Sequence, residues 1–155
     1  MLSRNNNITS VNHLTKLQVL RVPQSMINQA GICELKNLIK LVALYNTKIT
    51  SVNHLMQLRE LHAGGDSGID QAGISELRNL IRLGASGNTK ITSINHLIEL
   101  QELYAAGDSG IDQAGISELR NLIRLGASGN TKITSVNHLQ NYKYYMQEEI
   151  AESIK

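Results

Sequence analysis

The chain has 155 residues, of which 41% are hydrophobic, and it contains neither Phe nor Trp. This length is sufficient for one domain with a sizeable core, which aliphatic side chains must fill. With 15 basic and 13 acidic residues the net charge is only +2, so the charge balance does not indicate a nucleic-acid partner. The single cysteine, Cys33, excludes an internal disulfide and is typical of a reducing compartment.

The first ten residues, MLSRNNNITS, contain no apolar run, so we expect no secretory signal. No later run is long enough to cross a bilayer. Together with the lone cysteine, these observations predict an intracellular, cytoplasmic protein without membrane association. The sequence ITSVNHL at residues 8–14 matches the end of a segment that recurs later, so residues 1–13 are predicted to be a partial N-terminal repeat.

An internal repeat dominates residues 14–138. Residues 68–97 return at 110–139 with a single change, from Ile94 to Val136. A fixed period of 42 residues indicates a stacked array of supersecondary units. Each unit divides into segments of 20 and 22 residues, in which Leu recurs at every third position. The six segments begin at Leu14, Leu35, Leu55, Leu77, Leu97 and Leu119.

This pattern resembles the leucine-rich repeat signature Leu-x-x-Leu-x-Leu-x-x-Asn, as in Leu77, Leu80, Leu83, Ala85 and Asn88. The resemblance implies an α/β repeat solenoid, with a parallel sheet on the concave side and short 3₁₀ or helical turns on the convex side. One coil cannot bury its apolar side alone, so the coils share a continuous core. The phrases DSGIDQAGI and NTKITSINHL also resemble repeat-only proteins of large DNA viruses of amoebae, which would imply a location in the host cytoplasm.

One polar position recurs in every segment. The resemblance implies that its side chains bond to backbone groups of the turn inside the solenoid. Asn can donate and accept, whereas an ionised Asp only accepts, so a buried Asp there needs several backbone N–H groups. A calcium loop is the alternative, but calcium requires a denser run of oxygen ligands. The predicted structural column is Ser25, Asn46, Asp66, Asn88, Asp108 and Asn130.

On the return side of each longer segment, Asp70 or Asp112 is positioned to cap a short helical turn. A row of histidines also recurs once in every second coil. Strand spacing separates neighbours in this row by about 10 Å, while zinc needs all its ligands about 2 Å from one centre. We therefore predict a structural role without metal or cofactor for His13, His54, His96 and His138.

The concave face is where the resemblance places partner binding. Alternation along the strands puts on this face a column of alternating charge: Lys40, Glu60, Arg82, Glu102 and Arg124. Opposite charges on adjacent strands stabilise a sheet by about 0.2–1 kcal/mol per pair. The column is therefore a self-satisfied ladder, a docking strip for a partner, or both. The side chains large enough to anchor a partner are Leu44, Tyr45, His62 and Tyr104.

Residues 139–155 depart from the repeat. Tyr142 and Tyr145 replace leucines, and Ile150 and Ile154 lie four residues apart among charged neighbours. This amphipathic pattern predicts a helical cap that shields the last coil. At the other end, the first strand terminates at Pro23, and the sequence predicts no matching cap for that edge.

Catalytic signatures are absent from the sequence, which has neither Gly-x-Ser-x-Gly nor a phosphate-binding loop. Cys33 occupies the slot that Ser75 and Ser117 fill in later copies. We predict that the chain is not an enzyme but an interaction module that binds a protein partner, without nucleic acid or membrane. Two alternatives remain: a homodimer through the uncapped N-terminal edge, and a targeting subunit of an enzyme complex, for which no recruitment motif is visible.

Overall fold

The computed structural model describes residues 7–137, 139 and 144–146, the last three by their backbone. Within these residues the chain winds as a parallel β-solenoid, adding one short strand per turn in sequence order. The strands are β1 Val19–Arg21, β2 Lys40–Val42, β3 Glu60–His62, β4 Arg82–Gly84, β5 Glu102–Tyr104, β6 Arg124–Gly126 and β7 Tyr144–Met146.

The leucines spaced by three point inwards, as the periodicity predicts. Leu77 is 2% exposed, whereas Leu80 and Leu83 are fully buried. The strands pair without a shift, so that Leu61 aligns with Leu83 and Leu83 with Leu103. Burial of each such side chain contributes about 1.5–3 kcal/mol. The stacked coils therefore share one aliphatic core, in which the alanine after each strand from β2 to β6 is also fully buried.

Short 3₁₀ helices cross the convex side of alternate coils, at Gln29–Ile32, Ala72–Ile74 and Ala114–Ile116. Oδ1 of Asp70 accepts the N–H of Gly73 at 2.8 Å, and Asp112 does the same for Gly115. These contacts confirm the predicted capping by the two aspartates. In the part of the chain that the structure describes, no helix has the length and apolar character needed to cross a membrane.

The helical cap predicted over 139–155 does not extend over residues 144–146. Tyr144–Met146 form strand β7, in which Tyr145 aligns with Leu125 of β6. Tyr145 follows Leu125 by twenty residues, the length of a short segment, so the repeat spacing continues as far as this strand. Tyr142, Ile150 and Ile154 lie outside the described residues.

Candidate interaction surface

Strands β2 to β6 carry a row of alternating charges on the sheet face, at the first position of each strand. We call Lys40, Glu60, Arg82, Glu102 and Arg124 the charge ladder. Nζ of Lys40 lies 2.6 Å from Oε1 of Glu60, and Nη2 of Arg82 lies 2.8 Å from Oε1 of Glu102. Longer contacts of 3.5 Å from Arg82 to Glu60 and 3.4 Å from Arg124 to Glu102 complete the row. The ladder is thus paired along its whole length.

Each glutamate of the ladder also accepts a hydrogen bond from a side chain on its own strand. Nε2 of His62 donates to Oε1 of Glu60 at 2.7 Å. The hydroxyl of Tyr104 donates to Oε2 of Glu102 at 3.2 Å. Three side chains therefore converge on each glutamate, and both glutamates are held in one orientation.

The ladder keeps both glutamates ionised. Burial alone would raise the pKa of Glu60, but hydrogen bonds from Lys40 and His62, with the charges of Lys40 and Arg82, lower it to about 2. The pKa of Glu102 is lowered chiefly by its hydrogen bond from Arg82. The same bond raises the pKa of the Arg82 guanidinium. At neutral pH both glutamates of the ladder are therefore ionised.

His62 and Tyr104 lean across the sheet onto glycines of the next strand. A β-carbon at Gly84 would lie 2.8 Å from Nδ1 of His62, and one at Gly126 would lie 2.9 Å from Cδ1 of Tyr104. Such distances are too short for real atoms, so each ring occupies the space that a side chain would need. The third residue of each strand forms a second column on the sheet face. At Gly84 and Gly126 the two rings cover this column.

Leu44 and Tyr45 lie in the turn after β2, on the rim of the face rather than on its strands. Tyr45 is 53% exposed and has a φ of 55°, in the left-handed region. Its ring covers Gly65, which holds the equivalent position in the next coil. All nine residues predicted for the binding surface are exposed or half-buried; seven lie on the sheet face and two on the rim.

Inside the turns, Asn46, Asn88 and Asn130 are each 1% exposed. Nδ2 of Asn88 donates to the carbonyls of Ala63 at 2.7 Å and Ile69 at 3.0 Å. Its Oδ1 accepts the N–H groups of Lys90 at 2.9 Å and Ile91 at 3.3 Å. One amide thereby satisfies four backbone groups, two of them from the preceding coil.

The expectation of buried aspartates in this column is wrong, because Asp66 and Asp108 are exposed. Their neighbours Ser67 and Ser109 are fully buried instead. Each serine hydroxyl accepts the N–H two residues later, as the half-buried Ser25 also does. A neutral hydroxyl is far cheaper to bury than a carboxylate. Three residues separate the inward Ala63 or Ala105 from the serine in the later long segments, whereas two separate Val22 from Ser25 in the first, and the extra residue moves Asp out of the column.

Asparagines on the convex side link each coil to the next, a role that the sequence analysis missed. Nδ2 of Asn53 donates to the carbonyl of Ala72 at 2.8 Å, and its Oδ1 accepts the N–H of Glu76 at 3.1 Å. Asn12 and Asn95 repeat both contacts one unit earlier and one unit later. The 42-residue period carries this signal, since these asparagines recur at equal places.

Two members of the predicted histidine row, His54 and His96, bond to the backbone of the preceding coil. Nε2 of His54 donates to the carbonyl of Ile32 at 3.1 Å, and Nε2 of His96 to that of Ile74 at 3.0 Å. Burial lowers the pKa of His96, in keeping with a neutral ring. His13 is exposed, and His138 lies outside the described residues. Among the residues that the structure describes, no group of three or more His, Cys, Asp or Glu side chains is placed to hold a metal.

Cys33 is exposed and lies in the slot that the repeat predicts. Its Sγ accepts Nδ2 of Asn12 at 3.3 Å, the distance at which Oγ of Ser75 accepts Nδ2 of Asn53. The thiol therefore replaces a serine hydroxyl in the convex linkage between coils.

The fold is shared with internalin structures from Listeria monocytogenes, which are leucine-rich repeat proteins. The similarity to internalin C2 has a TM-score of 0.73 at 23% identity and covers 92% of this chain and 66% of that one. For internalin F the TM-score is 0.64 at 22% identity, over 90% and 50% of the two chains. For the functional domain of InlJ it is 0.57 at 18%, over 86% and 35%.

The chain thus spans about two thirds, half and one third of these three structures. No protein-family model matches the sequence, and no curated protein does either. At these identities the likeness shows the fold, a parallel β-solenoid consistent with leucine-rich repeats. The three structures are bacterial, so they do not support the finer resemblance to proteins of amoeba viruses.

Proposed function

We propose that this chain is a non-catalytic module that binds a protein partner on its concave face. The binding surface consists of the charge ladder, the rings of His62 and Tyr104, and the rim residues Leu44 and Tyr45. Its internalin-like fold supports a repeat module of this kind. Repeat solenoids present an extended concave surface that is well suited to contact another chain over many coils.

The observation that carries the proposal is the conformation of Tyr45. An L-residue with a left-handed backbone is destabilised by about 1–2 kcal/mol. Gly65, Gly87, Gly107 and Gly129 hold the equivalent positions in later coils, all with positive φ. The fold therefore does not require an aromatic side chain there. A half-exposed aromatic ring at the rim of a charged face is a typical interface anchor.

A pull-down with matched variants tests this proposal. The face variant carries Tyr45→Gly and Tyr104→Ala, and the control carries Met56→Ala and Ile98→Ala, two exposed apolar residues in turns before the strands. We expect proteins retained from cell extract by the wild type and the control to be lost from the face variant. Equal retention by both variants contradicts binding at this face. Thermal unfolding of each variant confirms that it is folded.

A second candidate is a homodimer through the N-terminal edge of the sheet. Leu14 is 42% exposed and Val19 49% exposed, so apolar side chains of the first described coil face solvent. An open strand edge with such side chains can pair with another copy. Light scattering over a concentration series tests it: a monomer at all concentrations removes this candidate, whereas a dimer abolished by Val19→Lys supports it.

The remaining hypotheses rest on the sequence. A targeting role within an enzyme complex and a viral origin with a host-cytoplasmic location stay predictions. No contact among the described residues favours either of them over a stand-alone interaction module.

A further inference from the structure

Contacts among the described residues occupy three of the four carboxylate oxygens of the charge ladder, whereas its arginines retain exposed donors. Glu60 and Glu102 are each contacted by three side chains and are only 19% exposed. Arg124 makes one ion pair, through Nη1, and its side chain is 46% exposed. Arg82 is 38% exposed, so part of its guanidinium also faces solvent. The face therefore has unused N–H donors and few unused carboxylate oxygens.

The charge of the face matches this imbalance. The ladder contains three cations and two anions, so it carries one net positive charge. Arg21, exposed on β1, extends the cationic surface beyond Lys40. Because the two carboxylates are shared between neighbouring cations, a basic partner would have to compete with bonds that already exist. An acidic partner would instead add acceptors to donors that lack them.

The spacing of the cations defines the geometry of such a partner. Lys40, Arg82 and Arg124 lie on β2, β4 and β6, two strands apart. Two strand spacings amount to about 10 Å, and one turn of a polyproline II segment spans about 9 Å in three residues and places every third side chain on the same side. We propose that the concave face binds an acidic segment of a partner protein in the polyproline II conformation, running across the strands with a carboxylate at every third residue. This inference rests on the proposed function and specifies the chemistry of its partner.

The two glutamates make the face selective for the spacing of negative charges along the partner segment. Glu60 and Glu102 lie between the cations, about 5 Å from each along the row. A segment with consecutive acidic residues would place some carboxylates beside them, where like charges repel. Neutral residues between the carboxylates avoid that repulsion. The ladder therefore favours spaced over clustered negative charge at equal net charge.

Fluorescence anisotropy with labelled peptides tests the inference on the intact chain. One peptide carries glutamate at every third position with serine between, a second has the same composition with its glutamates consecutive, and a third has lysine in place of glutamate. We expect the spaced peptide to bind about tenfold more tightly than the clustered one. We expect no measurable binding of the lysine peptide, and weaker binding of the spaced peptide at high salt.

Charge-matched variants locate the site. Arg82→Gln with Arg124→Gln should weaken binding of the spaced peptide by about three- to tenfold. Lys36→Gln with Lys48→Gln makes the same change in net charge outside the strands and should leave binding unchanged. Equal effects of the two pairs overturn the assignment to the ladder. Thermal unfolding of both variants separates loss of binding from loss of folding.

Three further results overturn the inference. They are equal affinity for spaced and clustered peptides, equal affinity for a single-stranded DNA of similar charge, and absence of binding by the spaced peptide. The first two indicate general attraction of anions rather than a spaced site. Failure here is distinct from failure of the proposed function. If the face variant still loses partners from cell extract while no acidic peptide binds, the interaction module stands and only the partner chemistry is wrong.

Discussion

The ring of Tyr104 lies over Gly126, its direct partner in the register of β5 and β6. His62 stands in the same relation to Gly84 between β3 and β4. In both cases the polar end of the ring contacts the glutamate two residues earlier on its own strand. The glutamate on the ring's own strand and the glycine on the next strand together set the orientation of each ring. The two columns of the concave face are thus coupled, and a change in one propagates to the other.

Gly126→Ala is expected to displace the Tyr104 ring and to weaken its bond to Glu102. The expected loss in free energy of unfolding is about 0.5–1.5 kcal/mol, the typical contribution of one hydrogen bond. In a Tyr104→Ala background the added β-carbon meets no ring, so the same substitution should have a smaller effect. Urea unfolding of the four proteins of this double-mutant cycle measures the coupling. Additive effects would show that the ring does not depend on the glycine.

Asn88→Asp is expected to destabilise the chain by roughly 3 kcal/mol. The carboxylate cannot donate to the carbonyls of Ala63 and Ile69, and it places a charge where the native side chain is 1% exposed. Asp108→Asn is the matched exchange at an exposed position and should change stability by less than about 0.5 kcal/mol. Chemical unfolding of both variants is the measurement. Similar values for the two would place Asp108 in the buried column after all.

These aspartates also illustrate how far the sequence predicts the structure. The inward positions of Leu80 and Leu83 follow from spacing alone, because a period that repeats over six segments leaves one side for the core. The prediction of the polar column was wrong at Asp66 and Asp108, because counting positions from the leucines ignores one extra residue in the turn. Serines followed by isoleucine two positions later, such as Ser67 and Ile69, recur at the 42-residue period and mark the true column.

Other features depend on contacts between coils that no local pattern encodes. The alternating signs of the charge ladder are visible in the sequence, but the convergence of three side chains on Glu60 requires the register of three strands. The contact of His62 with Gly84 depends on the direction in which the His62 ring leans, which the sequence does not specify. At the C-terminus, the strand at Tyr144–Met146 follows the repeat spacing, which placed Tyr145 at a leucine position.

Acid is expected to destabilise the chain through Glu60. Its folded pKa of about 2 lies below its ordinary value of 4.5, so the stabilisation is fully present above pH 4.5 and is lost as the pH falls towards 2. The difference corresponds to at most roughly 3 kcal/mol, which solvent screening at the sheet surface reduces to roughly 1–2 kcal/mol. Thermal unfolding of the wild type between pH 6 and about 2 should show this decline.

Glu60→Gln provides the control for the acid effect. The amide keeps the size of the side chain but does not titrate in this range. The variant should be less stable than the wild type at neutral pH and should lose less stability on acidification. The lowered pKa of Glu102 acts in the same direction, so some acid dependence remains in the variant. An identical pH profile for the two proteins would remove Glu60 as a source of the effect.

Gly115→Ala is expected to open the contact between two coils on the convex side. A β-carbon there would collide with the carbonyl oxygen of Thr92, a backbone atom that cannot rotate away. The carbonyl of Gly115 also accepts the N–H of Ile94 at 2.9 Å, and the collision would lengthen this bond. We expect a loss of about 1–3 kcal/mol in unfolding free energy and faster hydrogen exchange at Ile94. Ala114→Gly, the reverse exchange at the exposed neighbouring position, should leave exchange at Ile94 unchanged. Unaltered exchange in Gly115→Ala would show that the coils can separate without breaking this bond.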